Sequence, residues 1–249
     1  MKLFVSTLTL LLSVATAQAG DPVPAKNIVL VHGAFADGSG WEGVQRILTN
    51  DGYNVNIVQN STASLAADVT ATQKVLANLT APVVLVGHSY GGAVITQAGN
   101  DPKVKSLVYV AGFAPDQGES LQTLSAKPDF QPGPPLLLPP KNGFLTLIPA
   151  KFPEAFAADV APVKAQQMAD SQLPFGLQAF TDQITTVAWN TKPSYYIISG
   201  ADHMIPPAAE RWMANRAKSV QREIEGASHA VYISQPDKVA KVIEEAASK

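Results

Sequence analysis

The sequence predicts an α/β fold: a mostly parallel sheet of about six strands, helices on both faces, and an inserted cap. Three observations carry that expectation. Short apolar runs such as Asn27-Ile28-Val29-Leu30-Val31 and Val83-Val84-Leu85-Val86 alternate with stretches of helical periodicity. The second run leads into Gly87-His88-Ser89-Tyr90-Gly91-Gly92 and a helix-forming stretch, which puts a serine on a tight strand-to-helix turn. The alternation breaks between residues 113 and 190 and then resumes.

Residues 1–19 read as a targeting segment. Lys2 precedes an apolar run, Leu3–Ala15, interrupted only by Ser and Thr, and Ala17-Gln18-Ala19 fits a small-x-small cleavage site before Gly20. The run is short for a membrane span. The expected mature chain, 20–249, is therefore exported, periplasmic or secreted, with no stable membrane association.

The first strand is Asn27–Val31. Ser39-Gly40-Trp41-Glu42 matches a capping box ahead of a helix with Val44, Ile47 and Leu48 on its apolar face, and Asp51-Gly52 ends it. Tyr53–Val58 alternates as a strand. Ser64 caps a second helix running to about Leu79. The strand and helix around Ser89 follow, then a strand over Val104–Val110. From 113 to about 190 the chain is expected to form a cap over the sheet. Lys127–Pro140 is too rich in proline for a central strand or a helix interior. Leu136, Leu137, Leu138, Phe144, Phe152 and Phe156 make the segment too apolar for a disordered linker. Short helices are expected near 154–158, 162–170 and 175–189. Tyr195–Ser199 is the next strand, Pro206-Pro207 opens a helix to about Ala217, Ser219–Ile224 is the last strand, and Pro236 opens the last helix.

The 249 residues suffice for one large domain. A net charge of −2 without a basic cluster argues against nucleic acid and anionic membranes as partners. The absence of cysteine excludes disulfides, Cys-based metal sites and a cysteine nucleophile.

A serine hydroxyl needs a base to become a nucleophile at neutral pH. Of the four histidines, His88 adjoins Ser89, His32 ends the first strand, and His203 directly follows Asp202. His229 lies in a loop after the last strand, where strand ends of a parallel sheet share an edge with Ser89, so it is the candidate base. The acid that would orient it is Asp202, just beyond the 195–199 strand. Asp116, after the 104–110 strand, is the alternative, set behind Asp202 because the Asp202 loop is shorter. The N–H groups of Tyr90, after the serine, and of Ala34, in the loop after the first strand, are the candidate oxyanion donors, with Phe35 beside Ala34. No metal and no cofactor is expected.

Val31-His32-Gly33-Ala34-Phe35, Gly87-His88-Ser89-Tyr90-Gly91-Gly92, Ser199-Gly200-Ala201-Asp202 and Gly226-Ala227-Ser228-His229 resemble the four signature regions of the α/β-hydrolase superfamily. The resemblance covers most of residues 27–247, the cap least. Within the superfamily the chain is similar to small bacterial serine esterases and to plant salicylate-ester esterases and hydroxynitrile lyases. That likeness implies the α/β-hydrolase fold, a Ser89–His229–Asp202 triad and an acyl-enzyme mechanism. Two departures stand out. The family's two initial antiparallel strands have little room here, so a trimmed sheet is expected. The lyases carry a lysine after the catalytic histidine, where this chain has Ala230. Serine at the elbow also argues against haloalkane dehalogenases and epoxide hydrolases, which use aspartate there.

The expected activity is hydrolysis of a small-molecule carboxylic ester with an apolar part, contacted by Phe35, Phe113 and Phe144. The alternatives are a perhydrolase or C–C bond hydrolase with the same triad, or a non-catalytic ligand-binding protein of the same fold.

Overall fold

The computed structural model describes residues 24–130 and 136–249. The expected targeting segment and Gln131–Pro135 of the proline-rich stretch lie outside the described residues. The first half alternates as expected: β1 (Asn27–Val31), α1 (Glu42–Asn50), β2 (Asn54–Val58), α2 (Leu65–Ala77), β3 (Val83–His88), α3 (Tyr90–Ala98) and β4 (Val104–Val110). The cap follows with α4 (Leu121–Ser125), β5 (Phe144–Leu145), α5 (Phe152–Phe156), α6 (Pro162–Asp170), β6 (Phe175–Gly176) and α7 (Leu177–Thr181). The chain then returns to the sheet with β7 (Ser194–Ser199), α8 (Pro207–Arg216), β8 (Val220–Ile224), α9 (Val231–Ser234) and α10 (Pro236–Ser248).

Six strands form one parallel sheet in the order β2-β1-β3-β4-β7-β8. Its central strands are apolar throughout, yet their side chains still part by parity. Val29, Val31, Leu85, Leu107, Tyr109 and Tyr196 face α2, α3, α8 and the cap. Ile28, Leu30, Val84, Val86, Val108 and Ile197 face α1 and α10. Burial on both faces explains why these strands read as continuous apolar runs. The register sets Gly87 against Val31 and Tyr109, which brings the Ser89 turn to the centre of the carboxyl edge.

Two local expectations fail. Ser39 does not cap α1: a 3-10 turn, Gly38–Trp41, precedes the helix, and Asp37 caps that turn by accepting from the Ser39 N–H at 2.7 Å. The side chain two residues upstream reaches the free amide first. The helix expected over 175–189 shrinks to α7. The β-branched run Ile184-Thr185-Thr186-Val187 stays out of the helix, with the Ile184 N–H on the Glu119 carbonyl and the Thr185 N–H on Gln97 Oε1. The cap also contains an antiparallel pair, β5 with β6, joining segments about thirty residues apart.

Candidate active site

The turn after β3 is strained and locked. Ser89 has φ +52° and ψ −122°, a region that L-residues rarely occupy. Three backbone hydrogen bonds hold it there: its N–H donates to Val110 O at 3.2 Å, and its carbonyl accepts from Gly92 N at 2.9 Å and Phe113 N at 3.0 Å. The flanking glycines admit the close approach this requires. A Cβ at Gly87 would lie 2.4 Å from Gly91 O, and one at Gly91 would lie 2.5 Å from Val31 O.

Two other strand ends carry the candidate acid and the candidate base, and no hydrogen bond joins Ser89 to His229 among the described residues. Asp202, just past β7, accepts a 2.5 Å bond from His229 Nδ1 at its Oδ2. Its Oδ1 accepts from Met204 N at 2.6 Å and Ile205 N at 2.8 Å. Those bonds fix the carboxylate, and the carboxylate fixes the imidazole so that Nδ1 carries the proton. His229 Nε2 is buried without a hydrogen-bond partner among the described residues, so its lone pair can accept a proton. Asp116 is not brought to His229. Its carboxylate accepts from Gln117 N at 2.7 Å within a surface turn, and its own N–H donates to Glu119.

His88 and His32 serve the architecture. His88 Nε2 donates to the His229 carbonyl at 2.9 Å, so the residue beside Ser89 steadies the loop that carries the candidate base. Burial, and then the nearby His229, hold the His88 imidazole well below its ordinary value, hence neutral. The His32 carbonyl accepts from Asn60 Nδ2 at 3.3 Å, and burial lowers its pKa too. His203 is exposed at the mouth of the site. Among the described residues no cluster of three His, Asp or Glu side chains is placed to hold a metal ion.

Ser89 opens into a cavity of about 750 Å³ between the sheet edge and the cap. Ala34, Tyr90, Phe35 and Phe113 line it, with Phe130, Leu136, Leu145, Phe175 and Phe180. Neither the Ala34 nor the Tyr90 N–H donates to another protein group among the described residues. For Tyr90 this follows from its place as the first residue of α3. Phe35 sits at φ +60°, a second strained residue beside the cavity, its ring edge-on to Phe175. Phe144 does not belong to the lining. It is 38% exposed, because on β5 successive side chains alternate and Leu145 takes the inward position.

Two site-supporting acids escape motif reading. Buried Asp68 of α2 accepts from the Tyr90 hydroxyl at 2.8 Å and from Ser61 N and Thr62 N at 2.7 and 3.2 Å. Buried Glu210 of α8 accepts from Ser199 N at 3.1 Å and reaches Asp202. Helical periodicity carries a signal for both: Asp68 shares a stripe with Leu65, Val69, Thr72 and Leu76, and Glu210 with Met213, Ala214 and Ala217, all buried.

Comparison with known proteins places this geometry among relatives. Residues 28–242 match the model of the alpha/beta hydrolase family. The chain is 36% identical over 115 residues to a carbendazim hydrolyzing esterase of Nocardioides sp. (strain SG-4G), an alignment covering 41% of this chain and 48% of that one. It is 26% identical to salicylic acid-binding protein 2 of Nicotiana tabacum, covering 90% of this chain and 98% of that one. The crystal structure of a pyrethroid hydrolase from Sphingobium faniae JZ-2 shares the fold, with TM-score 0.75, 23% identity, and 90% of this chain and 97% of that chain covered. The match to the family model spans nearly the whole sheet and cap, and the chain belongs to the alpha/beta hydrolase family.

Proposed function

We propose that the chain is an exported serine hydrolase that cleaves carboxylic esters of small molecules through an acyl-enzyme. The observation that carries this reading is the buried Asp202–His229 pair at 2.5 Å on the sheet edge where Ser89 opens into an apolar cavity. The carbendazim hydrolyzing esterase among its relatives supports ester hydrolysis. Export rests on the sequence of residues 1–19.

In the proposed reaction Ser89 Oγ attacks the ester carbonyl carbon while its proton passes to His229 Nε2. The carbonyl π pair moves to oxygen, and the Ala34 and Tyr90 N–H groups hold that oxyanion. Each such donor typically lowers the barrier by about 3 kcal/mol. As the C–O bond to the alcohol breaks, His229 gives its proton to the leaving oxygen. Water then adds to the acyl-enzyme, losing its proton to His229, which returns it to Ser89 Oγ as the carboxylic acid departs. Throughout, Asp202 stays ionised and stabilises the imidazolium. The ring-lined cavity fits an ester with a sizeable apolar or aromatic part.

Ser89→Ala is expected to lower kcat for a short p-nitrophenyl ester about a million-fold. Near-parental turnover by that variant would overturn the serine mechanism. Covalent labelling of Ser89 by a fluorophosphonate is expected in the parent protein, and an inert serine would favour a non-catalytic binding protein.

A further inference from the structure

Glu210 is fully buried, and none of the ion pairs among the described residues includes it. Its Oε2 accepts from the Ser199 N–H, and its Oε1 is buried with no donor facing it. The carboxyl lies within hydrogen-bonding reach of the Asp202 carboxyl. The charged groups around it are engaged elsewhere. Arg211, the next residue on α8, is exposed and bonded to Glu223 at 2.9 and 2.5 Å. Arg216 and Lys127 are turned onto Glu119 and the Trp212 ring. Tyr196 of β7 donates its hydroxyl to the Gly112 carbonyl.

Two buried carboxyls this close, with a single imidazole bonded to one of them, do not both ionise. The partners decide which keeps the proton. Asp202 receives three donors, from His229, Met204 and Ile205, whereas Glu210 receives one. The negative charge therefore settles on Asp202 and the proton on Glu210.

We propose that Glu210 is held as a neutral carboxylic acid that donates a hydrogen bond to Asp202 and so limits how tightly Asp202 holds the imidazolium of His229. The orphan oxygen then has a purpose: Glu210 is the fourth donor to the Asp202 carboxylate. Burial and the Asp202 charge raise the Glu210 pKa well above its ordinary value, as this requires. Glu210 touches no substrate in this scheme, and it acts as a positioning residue through Asp202. The proposal rests on the reading of Asp202 and His229 as the acid–base pair of an ester hydrolase.

The test uses the full chain with Glu210→Gln, whose amide keeps both the donor and the acceptor, and Glu210→Met, which keeps neither. The first readout is the titration of the His229 ring by NMR of histidine-labelled protein. Glu210→Met is expected to raise the His229 pKa by about one unit, because an unrelieved Asp202 charge favours the imidazolium. The acid limb of kcat/KM should move to higher pH by the same amount, and Glu210→Gln should return both to the parental position. An unmoved His229 in Glu210→Met, or an equal shift in both variants, would overturn the proposal. The second readout needs neither catalysis nor the Met variant. The parent at neutral pH should show the infrared carbonyl band of a protonated carboxylic acid, lost in Glu210→Gln, and its absence in the parent would overturn the proposal. Ser89→Ala should retain both the band and the titration. A failure of the esterase reading would thus appear in turnover alone, and a failure of this one in the spectra.

Discussion

At the scale of single residues the site depends on an identity and a partner at each position. The Asp202–His229 bond makes a sharp comparison possible. Asp202→Asn keeps the shape but puts an amide against Nδ1, which favours the wrong tautomer, and kcat is expected to fall about ten-thousand-fold. Asp116→Asn, in its surface turn, is expected to leave kcat within a factor of about two, as a change away from the chemistry does. The same steady-state assay on both variants checks this, and the reverse ranking would transfer the proposed acid role to Asp116. This part of the site was legible in the sequence because its residues carry positional meaning. Gly87 and Gly91 are glycine because backbone oxygens lie where a Cβ would sit. His229 and Asp202 stand out because strand ends of a parallel sheet converge. Glu210 was not legible from any motif: its only signal is the stripe it shares with Met213, Ala214 and Ala217 on α8, and periodicity alone gives an acid there no role.

At the scale of elements, the cap is built into the site. The Ala230 N–H beside His229 donates to the Phe156 carbonyl of α5 at 2.8 Å, and the Ser228 hydroxyl donates to Asp159, so the histidine loop hangs partly from the cap. On the other flank Asp68 of α2 gathers the Tyr90 hydroxyl, the Ser61 hydroxyl and the Ser61 and Thr62 amides. Thr62 in turn accepts from Gly176 of β6 at 2.9 Å. One carboxylate thus ties the elbow to the cap base. Asp68→Ala would orphan the Tyr90 hydroxyl and the Thr62 amide in a buried place, at about 1–3 kcal/mol each, while exposed Ser61 can turn to water. A loss of about 3 kcal/mol or more is expected in urea unfolding, against about 1 kcal/mol for Tyr90→Phe, which removes one bond and leaves the hub. Equal losses for the two would show that Asp68 serves Tyr90 alone. The sheet elements were legible because parity and length separate strands from helices. The cap was less so: a two-residue strand such as β5 has no periodicity, so the outward turn of Phe144 is set only by its pairing with β6.

For the whole molecule, the buried titratable groups set opposing slopes of stability with pH. His32 and His88 are buried with lowered pKa values. Unfolded, each titrates near about 6.5, so below that pH the unfolded chain binds up to two protons that the native chain refuses. Stability is therefore present above about 6.5 and falls as pH drops towards the native values, by up to about 1.4 kcal/mol per pH unit for each proton. Glu210 works the other way. Its native pKa is raised, so the folded chain keeps a proton that the unfolded chain loses near about 4.3. Its contribution is full below that pH and is lost as pH rises through the native value. Thermal unfolding from pH 8 to pH 5 separates the two. The parent is expected to lose Tm below about pH 6.5, and His32→Gln should lessen that slope by one proton. Glu210→Gln removes the opposing term, so its Tm relative to the parent should climb steadily as pH rises from 5 to 8. A parental Tm that climbs steadily as pH falls from 7 to 5 would mean that the two histidines titrate alike folded and unfolded, leaving only the Glu210 slope. A Glu210→Gln difference independent of pH would mean that Glu210 is ionised in the folded chain, and that Asp202 carries its charge without a protonated neighbour.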